Sequence, residues 1–170
     1  MSTVAFAAAT GQFDTRRPVR STLCGAAPTL PGAVVDVSLS DMPNMMRAGQ
    51  PGWRTWHAGM MRVAATPASA PHGTVSLRVT NVGVMRHELL VLPLPAPAVP
   101  GQRAVGEDGT VDETGSLGEA SRDCGAGSGD GITPGATGWI TLTLPPGRYE
   151  LLCNLPGHYA AGMFAELDVA

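Results

Sequence analysis

Hydrophobic and polar residues alternate along short stretches of this chain, and segments rich in proline and glycine separate these stretches. Val35, Val37 and Leu39 share one face of the first stretch, and the residues between them are polar, which is the pattern of a half-buried strand. The same reading predicts strands at 33–39, 60–65, 74–80, 88–92, 139–144, 148–153 and 164–169. Short strands separated by turn residues predict an all-β fold, either a β-sandwich or a barrel.

Two parts of the chain lack this alternation. Residues 1–30 show no useful periodicity, and we expect a flexible or loosely packed N-terminal extension. Residues 93–137 are rich in proline, glycine and acidic residues, and an ordered loop of this length should be functional or fastened down. Within it, 113–122 could form a short helix, although nearby glycines disfavour one. We therefore predict one domain, 31–170, with a long loop insertion at 93–137.

Composition narrows the possible functions. The chain has 170 residues, 11 basic side chains and a formal net charge of −3, and the basic residues form no stripe that would bind nucleic acid. No apolar run approaches the ~20 residues of a transmembrane helix. The apolar residues 3–10 follow no basic residue and precede a polar stretch, so no export signal is evident. We expect a soluble chain that neither spans a membrane nor binds nucleic acid.

The residues with metal-binding chemistry concentrate near the C-terminus. Cys153, His158 and Met163 follow one another in a compact loop between two predicted strands, and His87 lies at the start of an earlier strand. A thiolate, two imidazoles and a weak thioether are the ligand set of a blue copper centre. The sequence therefore predicts one copper ion that cycles between Cu(I) and Cu(II).

Cysteine, methionine and histidine residues can also have roles that involve no metal. A cysteine or methionine in an apolar strand often only fills space, and Met163 is most open to that alternative. His57 and His72 lie in irregular segments, and we interpret them as solvent-exposed histidines. A group of methionines could load Cu(I), but we expect it to fill gaps in core and loops: Met42, Met45, Met46, Met60 and Met61.

The two remaining cysteines, Cys24 and Cys124, are candidates for a disulfide. Both flank glycine-rich segments, where a bridge would hold the N-terminal extension against the long loop. Two free surface thiols are the alternative. Because disulfides persist in oxidising compartments, we expect an exported protein, periplasmic or otherwise extracytoplasmic, with membrane association left open.

Three motifs surround the candidate ligands: Asn81-x-Gly83 followed by His87, then Pro146-Gly147-x-Tyr149 leading to Cys153, and Cys153-x4-His158-x4-Met163 ahead of the last strand. Together they resemble the cupredoxin family, the small blue copper proteins, and most closely its sulfocyanin and rusticyanin-like members. The resemblance covers roughly residues 33 to 170.

This resemblance implies a Greek-key β-sandwich with copper near one end. His87, Cys153 and His158 would be the close ligands of the ion, and Met163 the long axial one. Tyr149 would be the corner tyrosine of the sandwich, with its hydroxyl bonded to nearby backbone.

One position departs from the family pattern. Many members have Asn or Ser directly after the first histidine, where it links the two ligand loops by hydrogen bonds. Glu88 stands at that position here. We expect Asn154, directly after the cysteine, to supply this link instead, with Glu88 and Asn154 both next to the ligands.

The function that these residues predict is that of a mononuclear one-electron carrier between a redox donor and a redox acceptor. Electrons would pass through the exposed edge of His158. The surrounding apolar patch would dock partners through a small interface, with the chain acting as a monomer. The predicted patch consists of Leu155, Pro156, Tyr159 and Ala160.

Two alternatives belong to other classes. Copper oxidases and nitrite reductases of similar fold need further copper centres, usually through histidines that flank the cysteine. Leu152 and Asn154 flank Cys153 here, and only four histidines are present, so we predict no enzyme. A copper chaperone or storage protein, delivering copper to an exported cuproenzyme, could use the same ligands, and the sequence leaves it open.

Overall fold

The structure is a computed structural model that describes Cys24 and residues 27–41 and 61–170. The rest of the predicted extension over 1–30 lies outside the described residues, as do His57 and every methionine of the gap-filling group except Met61. All regular secondary structure in the described part is β-strand. The strands are β1 (Ala33–Asp41), β2 (Met61–Thr66), β3 (Ser69–Ala70), β4 (Gly73–Asn81), β5 (Leu89–Pro93), β6 (Gly118–Ala120), β7 (Thr137–Leu144), β8 (Gly147–Leu152) and β9 (Phe164–Val169).

The strands form two sheets that pack face to face, so the predicted all-β sandwich is confirmed. One sheet has the order β2-β1-β4-β7, and the other has the order β3-β9-β8-β5-β6. β1 runs parallel to β4, whereas β4 and β7 are antiparallel. The core between the sheets consists of alternate side chains from both, including Val35, Val37, Leu39, Val75, Leu77, Val79, Leu89, Val91, Leu151 and Leu167.

The second sheet is buried on both faces. Leu90, Leu92 and Leu152 point away from the main core and pack with Val111 and Tyr159 in a separate apolar cluster. The long insertion between β5 and β7 therefore covers the outer face of this sheet. Burying a large apolar side chain stabilises the fold by ~1.5–3 kcal/mol, and this explains why β5 and the end of β8 are apolar without alternation.

The segment 113–122 is not a helix, so that expectation is wrong. It contains a turn and then β6, which pairs antiparallel with β5. Without β6, the backbone groups along this edge of β5 would lack partners, and sheet pairing satisfies them. Gly118 has φ +151° at the start of β6, and a Cβ there would lie 2.4 Å from Ile140 Cδ1.

The chain ahead of β1 is joined covalently to the insertion. Cys24 and Cys124 form a disulfide with their Cα atoms 5.3 Å apart. The backbone next to this bridge lies along β7, because Cys124 N–H donates to the Thr137 carbonyl at 2.9 Å. The insertion is thus fastened to both sheets, through β6 on one and through this contact on the other.

A buried carboxylate attaches the insertion to β8. Glu150 has no solvent exposure and accepts hydrogen bonds from the Gly101 N–H at 2.7 Å, from Arg103 Nε at 2.5 Å and from the Tyr159 hydroxyl at 2.9 Å. Arg103 also donates to the Pro93 carbonyl at 2.7 Å. These hydrogen bonds to the Glu150 carboxylate compensate for the water that it loses on burial.

We expect Arg103→Met to destabilise the protein strongly, because Glu150 would keep its buried charge without a cation. Removing one partner of a buried ion pair costs ~3–5 kcal/mol, and the partial exposure of Arg103 places the expected loss near the lower value. Urea denaturation measures this free energy of unfolding. Arg78→Met is the matched control, since its pair with Asp36 is exposed on both sides and should contribute less than ~1 kcal/mol. Equal losses in the two variants would contradict the prediction.

Candidate metal centre

The pairing of two adjacent strands brings distant residues of the sequence together. His87 lies just before β5 and Cys153 directly after β8, and the antiparallel register sets Leu90 opposite Leu152. The start of one strand and the end of the other therefore meet at the same edge of the sheet. Ile132 secures the backbone of His87 by accepting its N–H at 3.2 Å and donating to its carbonyl at 2.6 Å.

The loop from Cys153 to Met163 is closed by its own backbone. Cys153 N–H donates to the Met163 carbonyl at 3.1 Å, and Met163 N–H donates to the His158 carbonyl at 3.1 Å. His158 N–H donates in turn to the Leu155 carbonyl at 3.0 Å. Met163 is fully buried. Three of the predicted ligand residues are thus held by one compact turn system.

Three donor atoms converge in the interior. His87 Nδ1 lies 3.2 Å from His158 Nδ1, and Cys153 Sγ lies 3.3 Å from the same nitrogen. The two imidazole rings meet edge to face, with centroids 5.0 Å apart and an interplanar angle of 62°. All three side chains are buried, and their donor atoms lie within 4.8 Å of one another. This is a compact set of one sulfur and two nitrogens that can share one ion.

Burial keeps these groups uncharged when no metal is bound. It raises the pKa of the Cys153 thiol to about 12. It also lowers the pKa of His87 and of His158, and for His158 the neighbouring His87 adds to the effect. Neutral imidazoles have a free lone pair for a metal, whereas the thiol must first lose its proton. A bound metal ion removes such a proton outright.

Glu88 connects the two ligand-bearing segments. Its carboxyl accepts the Asn154 N–H at 3.2 Å, and its own N–H points at Cys153 Sγ at 3.4 Å. Burial, followed by the charge of Glu119, raises the pKa of Glu88 to about 7. The Asn154 side chain does not make this link. It exchanges hydrogen bonds with the backbone of Val111 at 2.8 and 3.0 Å and so holds the insertion.

Asn81 orders the loop that leads from β4 to His87. Its side-chain amide donates to the carbonyls of Met85 and Ile132, both at 2.7 Å, and its oxygen accepts the Gly83 N–H at 2.9 Å. Asn81 is fully buried. This arrangement explains why the Asn81-x-Gly83 motif precedes the histidine.

Asp41 is a residue of the site that the sequence reasoning missed. It is the last residue of β1 and is buried, and it accepts the N–H groups of Val84 at 2.6 Å and Met85 at 2.9 Å. Its Oδ1 lies 3.6 Å from His87 Nε2. The sequence did contain a signal for it. The alternation that turns Leu39 inward also turns position 41 inward, and an acidic side chain on a buried face requires a polar partner.

The surface around His158 differs from the prediction at His158 and at Tyr159. The edge of His158 was expected to be exposed, but the residue is buried, at 6% exposure, because its ring turns toward His87 and Cys153. Tyr159, expected in an exposed apolar patch, is 3% exposed; it points inward because its hydroxyl bonds to Glu150 and accepts the Arg103 N–H. That part of the prediction is wrong. Pro156 and Ala160 are exposed and Leu155 is half-buried.

Among the described residues, His87, Cys153 and His158 form the one group of three or more metal-binding side chains. His72, predicted to be a solvent histidine, is exposed and bonds to the Ala170 carbonyl at 3.1 Å. Nowhere in the described ranges does a helix have the length and apolar character needed to cross a lipid bilayer.

A β-sandwich whose neighbouring strands bring one cysteine and two histidines to one edge, with a buried methionine closing the loop, defines a cupredoxin, a protein with a type 1 copper site. The sequence model described as the Sulfocyanin (SoxE) domain matches residues 57–170, well over half of the chain. The chain belongs to the sulfocyanin family, as the motifs predicted. It is a type 1 blue copper protein that binds one copper ion and carries single electrons between redox partners.

Among solved structures, the chain is similar to two auracyanins and a rusticyanin. Auracyanin from Roseiflexus castenholzii is 20% identical, with 83% of this chain and 98% of that chain covered and a TM-score of 0.49. Auracyanin A from Chloroflexus aurantiacus is 17% identical, with 81% and 100% covered and a TM-score of 0.47. Rusticyanin from Thiobacillus ferrooxidans is 21% identical, with 82% and 79% covered and a TM-score of 0.44. No curated protein matches the chain.

The two tyrosines of the chain should ionise only at unusually high pH. Burial raises the pKa of Tyr149, whose hydroxyl donates to the Pro145 carbonyl at 2.7 Å, and burial raises that of Tyr159 to about 12. Because the neutral forms are favoured in the folded state, stability should be complete below the ordinary pKa of ~10 and fall as pH rises above it. Absorbance of tyrosinate in native and urea-unfolded protein measures this. Native tyrosines that are half ionised at pH 10 would contradict it.

Proposed function

We propose that His87, Cys153 and His158 bind the copper ion closely and that Met163 provides a long axial contact. The observation that carries this assignment is the convergence of one sulfur and two imidazole nitrogens within 4.8 Å. Soft sulfur donors suit Cu(I), and imidazole suits both oxidation states, so the donor set fits copper. A copper ion bound there supplies one-electron chemistry by alternating between Cu(II) and Cu(I).

The chain would hold these donors in the same positions in both oxidation states. The backbone hydrogen bonds from Cys153 to Met163 and from Met163 to His158 support this view, as does the pairing of His87 with Ile132. Donors held by a packed shell move little when the charge of the site changes. Little movement means that electrons can be accepted and released quickly.

In the same proposal, Glu88 and Asn154 form the layer around the ligands. The Glu88 carboxyl links its own segment to the cysteine loop, and the Glu88 N–H donates to Cys153 Sγ. A hydrogen bond to sulfur stabilises negative charge on it, so this contact tunes the reduction potential. Asn154 would act differently, by keeping the insertion closed over the ligand loop.

Redox partners would dock on an apolar patch over His158, now limited to Leu155, Pro156 and Ala160. His158 is 6% exposed, whereas Cys153 and Met163 are fully buried, so His158 lies nearest the surface among the proposed ligands of this loop. Weak electron-transfer encounters bury less than ~1,200 Å² in total, so a small patch is sufficient. A neutral and largely apolar surface favours brief contacts that separate after each transfer.

We further propose that the protein is a monomeric carrier without catalytic activity. The described residues offer a single cluster of metal-binding side chains, and a second copper centre would need another. Met163 is fully buried, and with its thioether in the axial position no open position would remain for a substrate. The domain would extend over 31–170, with 93–137 as an insertion and 1–30 as an extension.

Export to a periplasmic or other extracytoplasmic space is part of the same proposal. The disulfide between Cys24 and Cys124 supports it, because structural disulfides persist in oxidising compartments. Electron donors and acceptors of such a carrier would be membrane-bound or exported redox proteins.

Replacing the proposed sulfur ligand tests the copper assignment. Cu(II)-loaded protein should absorb intensely in the visible range through charge transfer from the Cys153 thiolate, and Cys153→Ala should lose this band. The double variant Cys24→Ser, Cys124→Ser is the matched control, since it removes the other two cysteines and should stay coloured. An unchanged visible spectrum in Cys153→Ala would remove the assignment. Rapid exchange of Cu(I) without a coloured Cu(II) form would favour a copper chaperone.

Adding charge to the proposed docking patch should slow electron transfer between two copies of the protein. Two patches that meet would each carry a carboxylate in Ala160→Glu, and we expect the self-exchange rate to fall about tenfold at low salt. Added salt should restore most of it. NMR line broadening in mixtures of oxidised and reduced protein measures the rate. Ala98→Glu, exposed on the loop after β5, is the control, and a similar fall there would argue against the patch.

A further inference from the structure

The carboxylate of Asp41 is enclosed by donors from the loop that carries His87. Asp41 is 5% exposed and accepts two backbone N–H groups, from Val84 and Met85. His87 Nε2 lies 3.6 Å from its Oδ1. Within the described part of the chain, this ring nitrogen has no hydrogen-bond partner. The Asp41 carboxylate is therefore placed to interact with a proton on Nε2.

The position of that proton matters for the opposite side of the ring. A neutral imidazole has one N–H and one lone pair, and a contact at one nitrogen decides which tautomer is present. A carboxylate beside Nε2 favours the proton there. The lone pair then lies on Nδ1, the nitrogen that lies 3.2 Å from His158 Nδ1 inside the cluster of donors.

We propose that Asp41 is a positioning residue that holds His87 as the Nε2–H tautomer and places a fixed negative charge behind this ligand. The inference rests on the proposed ligand role of His87. Asp41 would have two effects. It would keep the lone pair of His87 on Nδ1 before any metal binds, and it would stabilise Cu(II) relative to Cu(I). Carboxylates behind metal-binding histidines raise ligand basicity, and their loss lowers metal affinity by ~10–100-fold in other proteins.

Space for the carboxylate depends on Gly83. A Cβ at Gly83 would lie 1.9 Å from Asp41 Oδ1 and 2.9 Å from the Asp41 backbone nitrogen. A methyl group there cannot coexist with the present position of the carboxylate. Gly83→Ala therefore offers a way to displace the Asp41 carboxylate without changing the charge of the chain.

A purely structural role for Asp41 predicts different results. If the carboxylate only received the backbone N–H groups of Val84 and Met85, its removal would lower stability and leave the tautomer of His87 unchanged. The tautomer can be read in metal-free protein by long-range nitrogen–proton NMR, with His87→Ala used to assign the signals. This measurement is independent of copper loading.

In metal-free wild type we expect the Nε2–H tautomer at His87. In Asp41→Asn the amide can donate to Nε2, so the Nδ1–H tautomer should become populated, and Gly83→Ala should also reduce the Nε2–H form. Wild type with the proton on Nδ1, or variants with an unchanged tautomer, would overturn the inference. The wild-type spectrum alone decides whether His87 is the Nε2–H tautomer. The test therefore remains valid even if a variant does not fold.

In copper-loaded protein, Asp41→Asn should lower the ratio of Cu(II) to Cu(I) affinity about tenfold, which corresponds to a rise in reduction potential of ~59 mV for one electron. Asp36→Asn is the matched control. It removes the same charge from the same strand, but Asp36 is exposed and paired with Arg78, so its potential should stay near that of wild type. An unchanged potential in Asp41→Asn, or an equal change in both variants, would overturn the inference.

The two proposals fail in different ways. If wild-type protein with Cu(II) has no intense visible band, the proposed copper ligands are wrong, whatever the NMR result. If wild type is coloured and Asp41→Asn leaves both tautomer and potential unchanged, the ligand assignment stands and only the role of Asp41 is refuted.

Discussion

The antiparallel pairing of β5 with β8 is the interaction on which the copper centre depends, because it brings a histidine and a cysteine from distant parts of the chain to one edge. A shift of one residue would turn every side chain of a strand to the other face. Burial prevents this shift. Leu89 and Val91 belong to the core between the sheets, and Leu90 and Leu92 belong to the cluster beneath the insertion.

The long insertion is therefore part of the site and not an appendage. It covers the outer face of the second sheet, supplies β6 as a partner for β5, and brings Arg103 to the buried Glu150. The same carboxylate accepts the hydroxyl of Tyr159, the neighbour of His158. One buried charge thus couples the closure of the insertion to the position of the ligand loop, and Asn154 adds a second connection.

Burial also determines the protonation states of the ligand side chains. Without metal, the interior favours neutral imidazoles and a protonated thiol. A copper ion is compatible with this interior because the thiolate offsets part of its charge and the donors are already in place. The Asp41 carboxyl faces His87 Nε2, and the Glu88 carboxyl bonds to the backbone N–H of Asn154, next to Cys153. Two acidic groups outside the ligand set can therefore influence the charge around the ion.

The sequence by itself determined the all-β class, the main strands and the cysteine, histidine and methionine loop, because alternation and short spacings are local properties. It did not predict β6 in place of a helix at 113–122, since the unpaired edge of β5 that requires it is distant in the chain. It placed Tyr159 on the surface, whereas Glu150 and Arg103 draw it inside. It missed Asp41, whose partners lie over forty residues away. Only the tertiary structure decided these points, because buried polar groups take their partners from whichever segment packs against them.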